Sequence, residues 1–260
     1  MLLAEPGHTP YDLHFSVLGF PVRVHPLFWL LGLILGFNAH QPIIVLIAIC
    51  VAFISILVHE LGHSLMMRRF GRESHIVLYI MGGLAIEGNG SSFGGFRSRG
   101  SRTTYEQVLI SAAGPGAGFV LAGIVVGVLY AMGGHIVWAG ELIPTPNSMI
   151  GDDPVEVNKN WNLMVTFDLF LTFNIMWGLL NLLPVFPLDG GQIAQALMVA
   201  RDPWGGLRNS LQLSLVTGII VAVCGALLEN FMMAMMFGSM AYSSYMALQQ
   251  VGGGGRGRPW

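Results

Sequence analysis

Charge is scarce in this sequence. Only 10% of its 260 residues are Asp, Glu, Lys or Arg, while 53% are hydrophobic; soluble domains carry about 25% charged residues. A water-facing exterior cannot be built from so few, which excludes a soluble enzyme, and the apolar content excludes a disordered chain. No charged residue occurs in 24–58, 107–140, 169–188, 209–228 or 230–255. A bilayer core about 30 Å thick takes about 20 apolar residues as helix, so each window can hold a span. The formal net charge of −2 gives no footprint for a polyanion, which excludes a nucleic-acid partner. Cysteine is nearly absent. Cys50 and Cys224 both sit in apolar runs, where small buried hydrophobes are expected rather than a disulfide or metal ligands. No basic residue precedes Arg23, which argues against a secretory leader and for retained spans.

What is present is a polytopic membrane pattern, mainly α. Six segments read as spans, at about 26–38, 43–66, 107–132, 162–183, 209–228 and 231–248. They make one membrane domain over 1–250, with no internal repeat, followed by a flexible glycine-rich tail over 251–260. Every arginine falls on one side of this arrangement, and Lys159 alone falls on the other, beside Glu141, Asp152, Asp153 and Glu156. The positive-inside rule then makes both termini cytoplasmic. Residues 13–24 and 75–87 are rich in β-branched and aromatic residues and punctuated by Gly and Pro. They read as short strands of a small membrane-associated sheet at the cytoplasmic leaflet, and Gly82-Gly83 suits a bend or a close backbone approach.

The chemistry-bearing motif closes the second span: His59-Glu60-Leu61-Gly62-His63. Histidines at i and i+4 lie on one helix face a turn apart, where they can share a metal, and Glu60 can reach a water polarised by it. The bland alternative is two histidines satisfied by neighbouring helices. Ionisable groups in a span carry a desolvation cost that plain packing does not require, which favours the metal. A catalytic zinc keeps three protein ligands and an open position. Asp168 and Asp189 are the candidates for the third. HExxH lies near the cytoplasmic end of its span, and the fourth span runs toward that face, so Asp189 is at a compatible depth and Asp168 is not. In Asn181-Leu-Leu-Pro-Val-Phe-Pro-Leu-Asp189-Gly-Gly, Pro184 and Pro187 stop the helix, and Gly190-Gly191 permit a turn that returns the carboxylate to the bundle.

These motifs resemble the site-2 protease family, membrane-embedded zinc metalloproteases of the peptidase M50 type. The likeness runs in order through VLGFPVRVHPLFWL, HELGHSLMMRRFG, MGGLAIEG, SAAGPGAG and NLLPVFPLDGG. It implies one zinc per chain held by His59, His63 and Asp189, Glu60 as catalytic base, and Asn181 close to the active site. The family often has Asn at the position of Gly118 and Arg at that of Gln192, and no PDZ-type or CBS-type domain fits in this length. The reaction implied is hydrolysis of a peptide bond in or beside the transmembrane segment of a single-span substrate, with an anti-sigma factor or similar regulator as a plausible client. The site implied is the inner membrane of a bacterial cell.

Several residues keep two readings. The Asn181 amide could stabilise an oxyanion or bond between helices. The 75–87 strand, with Gly82 and Gly83, could capture an unwound substrate by strand addition or form a hairpin with the 13–24 strand. His25 reads as a strand-end or interfacial histidine with a possible supporting role at the metal. The methionines around 232–236 read as lipid-facing or packing. Gly114, Gly116 and Gly118 read as small-residue spacing for close helix packing. Competing functions are an inactive membrane scaffold and a metal transporter using the same ligands.

Overall fold

The computed structural model describes residues 7–30, 41–79, 82–87, 102–133, 135–137, 145–147 and 154–253. Its elements, in chain order, are β1 (Leu13–Val17), β2 (Phe20–Val24), α1 (Pro42–Arg69), β3 (Ser74–Tyr79), β4 (Gly82–Glu87), α2 (Thr104–Ala131), β5 (His135–Val137), β6 (Thr145–Asn147), α3 (Pro154–Asn181), α4 (Asp189–Arg201), α5 (Gly206–Leu227) and α6 (Phe231–Gly253). They fall into two compact units: residues 1–97 with 113–178, and residues 98–112 with 179–260.

Among the described residues, four helices are long and apolar enough to cross a membrane: α1, α2, the Trp161–Asn181 part of α3, and α5. Four of the six expected spans are thus matched among the described residues. The segment expected at 26–38 falls largely outside the described residues. The segment at 231–248 is helical, but serines, glycine and tyrosines dilute its apolar character. The outward faces carry the signature of lipid: Val120, Ile124 and Val128 on α2, and Val216, Ile220 and Val223 on α5, are all exposed. Cys50 and Cys224 are exposed as well, and free. This corrects their expected burial. On a spanning helix the apolar surroundings of a small hydrophobe can be lipid instead of protein.

In the first unit, each expected strand segment is a pair of strands. Leu18 (φ 52°) and Gly19 (φ 84°) both adopt left-handed backbone, as the two-residue turn joining β1 and β2 requires. The four-stranded sheet runs β1-β2-β3-β4. β2 and β3 pair in parallel, Val22 opposite Ile76 and Val24 opposite Leu78, and the outer pairs are antiparallel. Side chains alternate between faces, so Phe20, Val22 and Val24 share one face with Ile76 and Leu78. That face forms a buried core with Phe28 and with Ile56 and Leu61 of α1.

α1 starts on Pro42 with extended Gln41 ahead of it, the position where a missing N–H costs nothing. It ends at Phe70 before left-handed Gly71 (φ 71°), with Arg68 and Arg69 favourably placed at the negative helix end. Arg68 donates to the Leu18 carbonyl at 2.8 Å, and its guanidinium lies 4.5 Å from the centre of the Phe20 ring. One cation thus ties the end of α1 to the β1–β2 hairpin. Deeper in the unit, buried Asn174 of α3 donates to Ser55 Oγ of α1 at 2.9 Å and to the Phe170 carbonyl at 2.8 Å.

In the second unit, Val185 packs with Phe237 and Met240. The Phe186 N–H donates to Ser214 Oγ at 2.7 Å, and Ser214 shares a 2.7 Å hydroxyl contact with Ser244. Met233 and Met236 pack against this core, while Met232 and Met235 are exposed, so these methionines divide between packing and lipid-facing roles. A β-carbon on Gly218 would lie 3.1 Å from that of Ala241, the close approach that small residues allow.

Replacing Asn174 by Ala should lower stability in detergent by about 1 kcal/mol, the scale of an interhelical hydrogen bond in a membrane protein. A reversible SDS titration checks this, and Ser55→Ala added to that variant should cost little more.

Candidate metal centre

The C-terminal half of α1 carries the motif, and its three ionisable side chains are buried: His59 5%, Glu60 6% and His63 8% exposed. The imidazoles meet edge to face, ring centres 4.9 Å apart, with their Nε2 atoms 3.2 Å from one another. Two nitrogens bound to one tetrahedral zinc at about 2.0–2.1 Å would stand about 3.3 Å apart. The separation of the pair matches that of two nitrogens sharing one zinc.

Glycine backbone closes on this cluster from two directions. A β-carbon at Gly114 of α2 would overlap the His63 ring and come within 2.8 Å of His59 Nε2. At Gly83 of β4 it would overlap the Glu60 side chain and lie 2.6 Å from Oε1. At Gly62 it would run into the Ala113 carbonyl and lie 2.8 Å from the Ala117 methyl, which draws α1 and α2 together at the depth of the histidines. The spacing Gly114, Gly116, Gly118 is therefore not one uniform packing device. A β-carbon at Gly114 would run into the imidazoles, one at Gly116 would meet nothing within 4 Å, and one at Gly118 would lie 3.6 Å from the Asn174 side-chain oxygen.

The sheet supplies the other wall. Gly82 (φ 119°) pairs with Tyr79 and lies under the Trp177 ring, and Gly83 beside it faces Glu60. Burial first, and the Glu60 charge second, push the Tyr79 phenol up to about 12, so it stays protonated across the physiological range. His25 follows β2 directly. Its backbone N–H donates to the Leu78 carbonyl at 2.8 Å, and its Nδ1 accepts from the Leu27 N–H at 3.2 Å, which is a strand-end role. Asp168 is half-buried on α3.

In the second unit, α3 ends at Asn181, which is half-buried, and α4 begins at Asp189, which is buried. The loop between holds Pro184 and Pro187, as expected of helix stops. The expected turn at Gly190-Gly191 is not there. Both glycines lie in the first turn of α4, a helix that the sequence reading missed. A β-carbon on Gly190 would overlap the Leu182 carbonyl, and one on Gly191 would lie 2.5 Å from the Val185 carbonyl carbon. They are glycines so that the loop can fold back onto the helix, not so that the chain can turn. The Asp189 carboxylate then sits at the positive end of α4, which favours its charge. Gln192 accepts from Gln107 Nε2 at 3.0 Å and donates to the Pro187 carbonyl at 3.3 Å, bracing the same loop.

Sequence reasoning missed Gly114 as a neighbour of the histidines, and it missed Asn174, Ser55 and Tyr79. Asn174 and Ser55 did leave a signal, as single polar residues inside otherwise apolar runs. Gly114 left none that separates it from Gly116.

A family model described as Peptidase family M50 matches residues 47–225. The zinc metalloprotease MJ0392 of Methanocaldococcus jannaschii is 28% identical over 188 residues, 71% of this chain and 44% of that protein. The Synechocystis protein sll0528 is 28% identical over 197 residues, 70% of this chain and 43% of its own length. The chain thus spans less than half the length of these two relatives. Among solved structures, the site-2 protease from Methanocaldococcus jannaschii matches with a TM-score of 0.54 at 20% identity, covering 92% of this chain and 95% of that one. At that identity the likeness is one of fold.

Gly114→Ala should weaken zinc binding at least about tenfold, the scale of a disturbed ligand environment, while Gly116→Ala leaves it unchanged. Elemental analysis after dialysis against zinc buffers distinguishes the two.

Proposed function

The chain belongs to peptidase family M50, and on that premise we propose that it is an integral membrane zinc endopeptidase. Its reaction is hydrolysis of a peptide bond in or beside the transmembrane segment of a membrane-tethered protein. One observation carries the reading. Two buried imidazoles stand 3.2 Å apart beside a buried glutamate in an apolar helix, with Gly114 and Gly83 backbone close against them. A satisfied structural pair would need neither the glutamate nor the glycines.

His59 and His63 would hold the zinc, with Asp189 as the third ligand. The support for Asp189 is its burial at the first position of α4, just after the proline loop that the family resemblance marks. Zinc in such a centre supplies Lewis acidity toward water and the scissile carbonyl. Glu60 takes the proton of the attacking water and returns it to the leaving amine. Its carboxylate is held against β4, which keeps it out of bulk water. Tyr79, protonated and buried nearby, cannot compete with Glu60 as a base. The Asn181 amide is offered to the developing oxyanion.

A helical substrate hides its carbonyls in intrahelical bonds, so it must unwind to be cut. β4 ends the four-stranded sheet, and an edge strand can take up an extended segment by main-chain pairing. Gly83 places that edge beside Glu60, so a captured segment would pass the catalytic base. In this reading the client is a single-span regulator such as an anti-sigma factor, both termini face the cytoplasm, residues 1–250 form one domain, and the enzyme works in a bacterial inner membrane.

Purified protein with zinc should cleave a single-span substrate in detergent. Glu60→Gln should slow cleavage at least about 100-fold, the scale of lost acid–base catalysis, with zinc content unchanged. Asp189→Ala should lose both zinc and cleavage. Full activity in Glu60→Gln would refute the assigned base, and zinc uptake into liposomes without proteolysis would refute the protease. For the strand edge, proline at Leu84 or Ala85, whichever amide points away from β3, should slow cleavage of a spanning substrate; unchanged rates at both would remove β4 from substrate capture.

A further inference from the structure

We propose that His8, Asp12 and His14 form a second divalent-metal site, separate from the histidine pair of α1 and suited to a borderline cation such as zinc. The three side chains each offer one ligand atom, and these atoms lie within 4.8 Å of one another. Two imidazoles and a carboxylate make a donor set that zinc accepts, with room left for water.

The cluster is built, not a chance meeting of surface groups. Asp12 is fixed on several sides. The Thr9 hydroxyl donates to its Oδ1 at 2.5 Å, and the Thr9 N–H donates to Oδ2 at 3.2 Å. Buried Arg23 of β2 donates to Oδ2 at 3.1 Å. His14 places Nδ1 3.1 Å from the Asp12 backbone carbonyl. Donating Nδ1–H there leaves Nε2 as its lone-pair nitrogen, the supporting bond that metal-ligating histidines commonly make. His8 and His14 are exposed, so an ion can enter from solvent.

His14 lies in β1 directly opposite Arg23. An ion held by all three residues would clip the segment before β1 onto the outer strand of the sheet. The Arg23 charge beside Asp12 works against a cation, so this site should bind more weakly than the buried pair and exchange its ion more readily. Because only the intact fold brings the three together, the ion also stabilises the fold that holds it.

The test is zinc binding by the full chain in detergent, using equilibrium dialysis and elemental analysis. Wild type should bind one equivalent more than His8→Gln/His14→Gln, and His59→Gln/His63→Gln should keep that equivalent. Asp12→Asn should bind it at least about tenfold more weakly. Equal zinc in wild type and His8→Gln/His14→Gln overturns the site. Undiminished binding in Asp12→Asn also overturns it, leaving adventitious zinc on two surface histidines. His8→Gln/His14→Gln leaves the Asp12–Arg23 pair intact, so misfolding does not confound it. Failure of His59→Gln/His63→Gln to lose zinc would sink the α1 centre alone, so the two readings fail separately.

Discussion

Everything in this structure follows from placing three ionisable side chains inside an apolar helix and giving them surroundings that are not lipid. Burying such groups without compensation costs several kcal/mol each. The first unit meets that constraint with backbone. Gly62 and Gly114 bring α1 and α2 to a separation that no β-carbon would permit, and Gly83 brings a strand edge onto Glu60. The scarcity of charge along the other spanning helices is the complement of this arrangement, and their outer faces are left to apolar side chains.

The sheet matters for the same reason. A strand packed on an apolar helix carries backbone groups that the helix cannot satisfy, so it must be paired. β3 is paired on both sides, and its inward face is packed on α1. Arg68 closes the arrangement by binding the hairpin that flanks it. The sheet is therefore a wall of the histidine cluster as well as an appendage of the bundle.

Much of this was legible in the sequence. HExxH at the end of an apolar run, the two strand-rich segments and the proline stop after Asn181 all follow from local rules of spacing and composition, and each is where it was expected. What stayed hidden depended on partners distant in sequence. Gly114 and Gly116 are indistinguishable until α1 is laid beside α2. Gly190 and Gly191 read as a turn because glycine usually marks one, whereas here the Leu182–Leu188 loop folds onto them and a helix continues. The cysteines were misjudged because burial in a soluble core and exposure to lipid draw on the same residue types. His8, Asp12 and His14 were passed over because the Thr9–Asp12 turn that gathers them is not announced by their spacing.

The parallel pairing of β2 with β3 has a further consequence. The chain between these two neighbouring strands contains the whole of α1, so the helix that carries His59 and His63 is the crossover of a strand–helix–strand unit. Strand side chains alternate faces with a period of two, and only four residues separate Arg69 from Ser74. Lengthening that link by one residue would turn the opposite face of β3 toward the helix and carry the β4 glycines out of step with Glu60. The short link after α1 thus behaves like a gauge block, its length set by the need to hold β4 against Glu60.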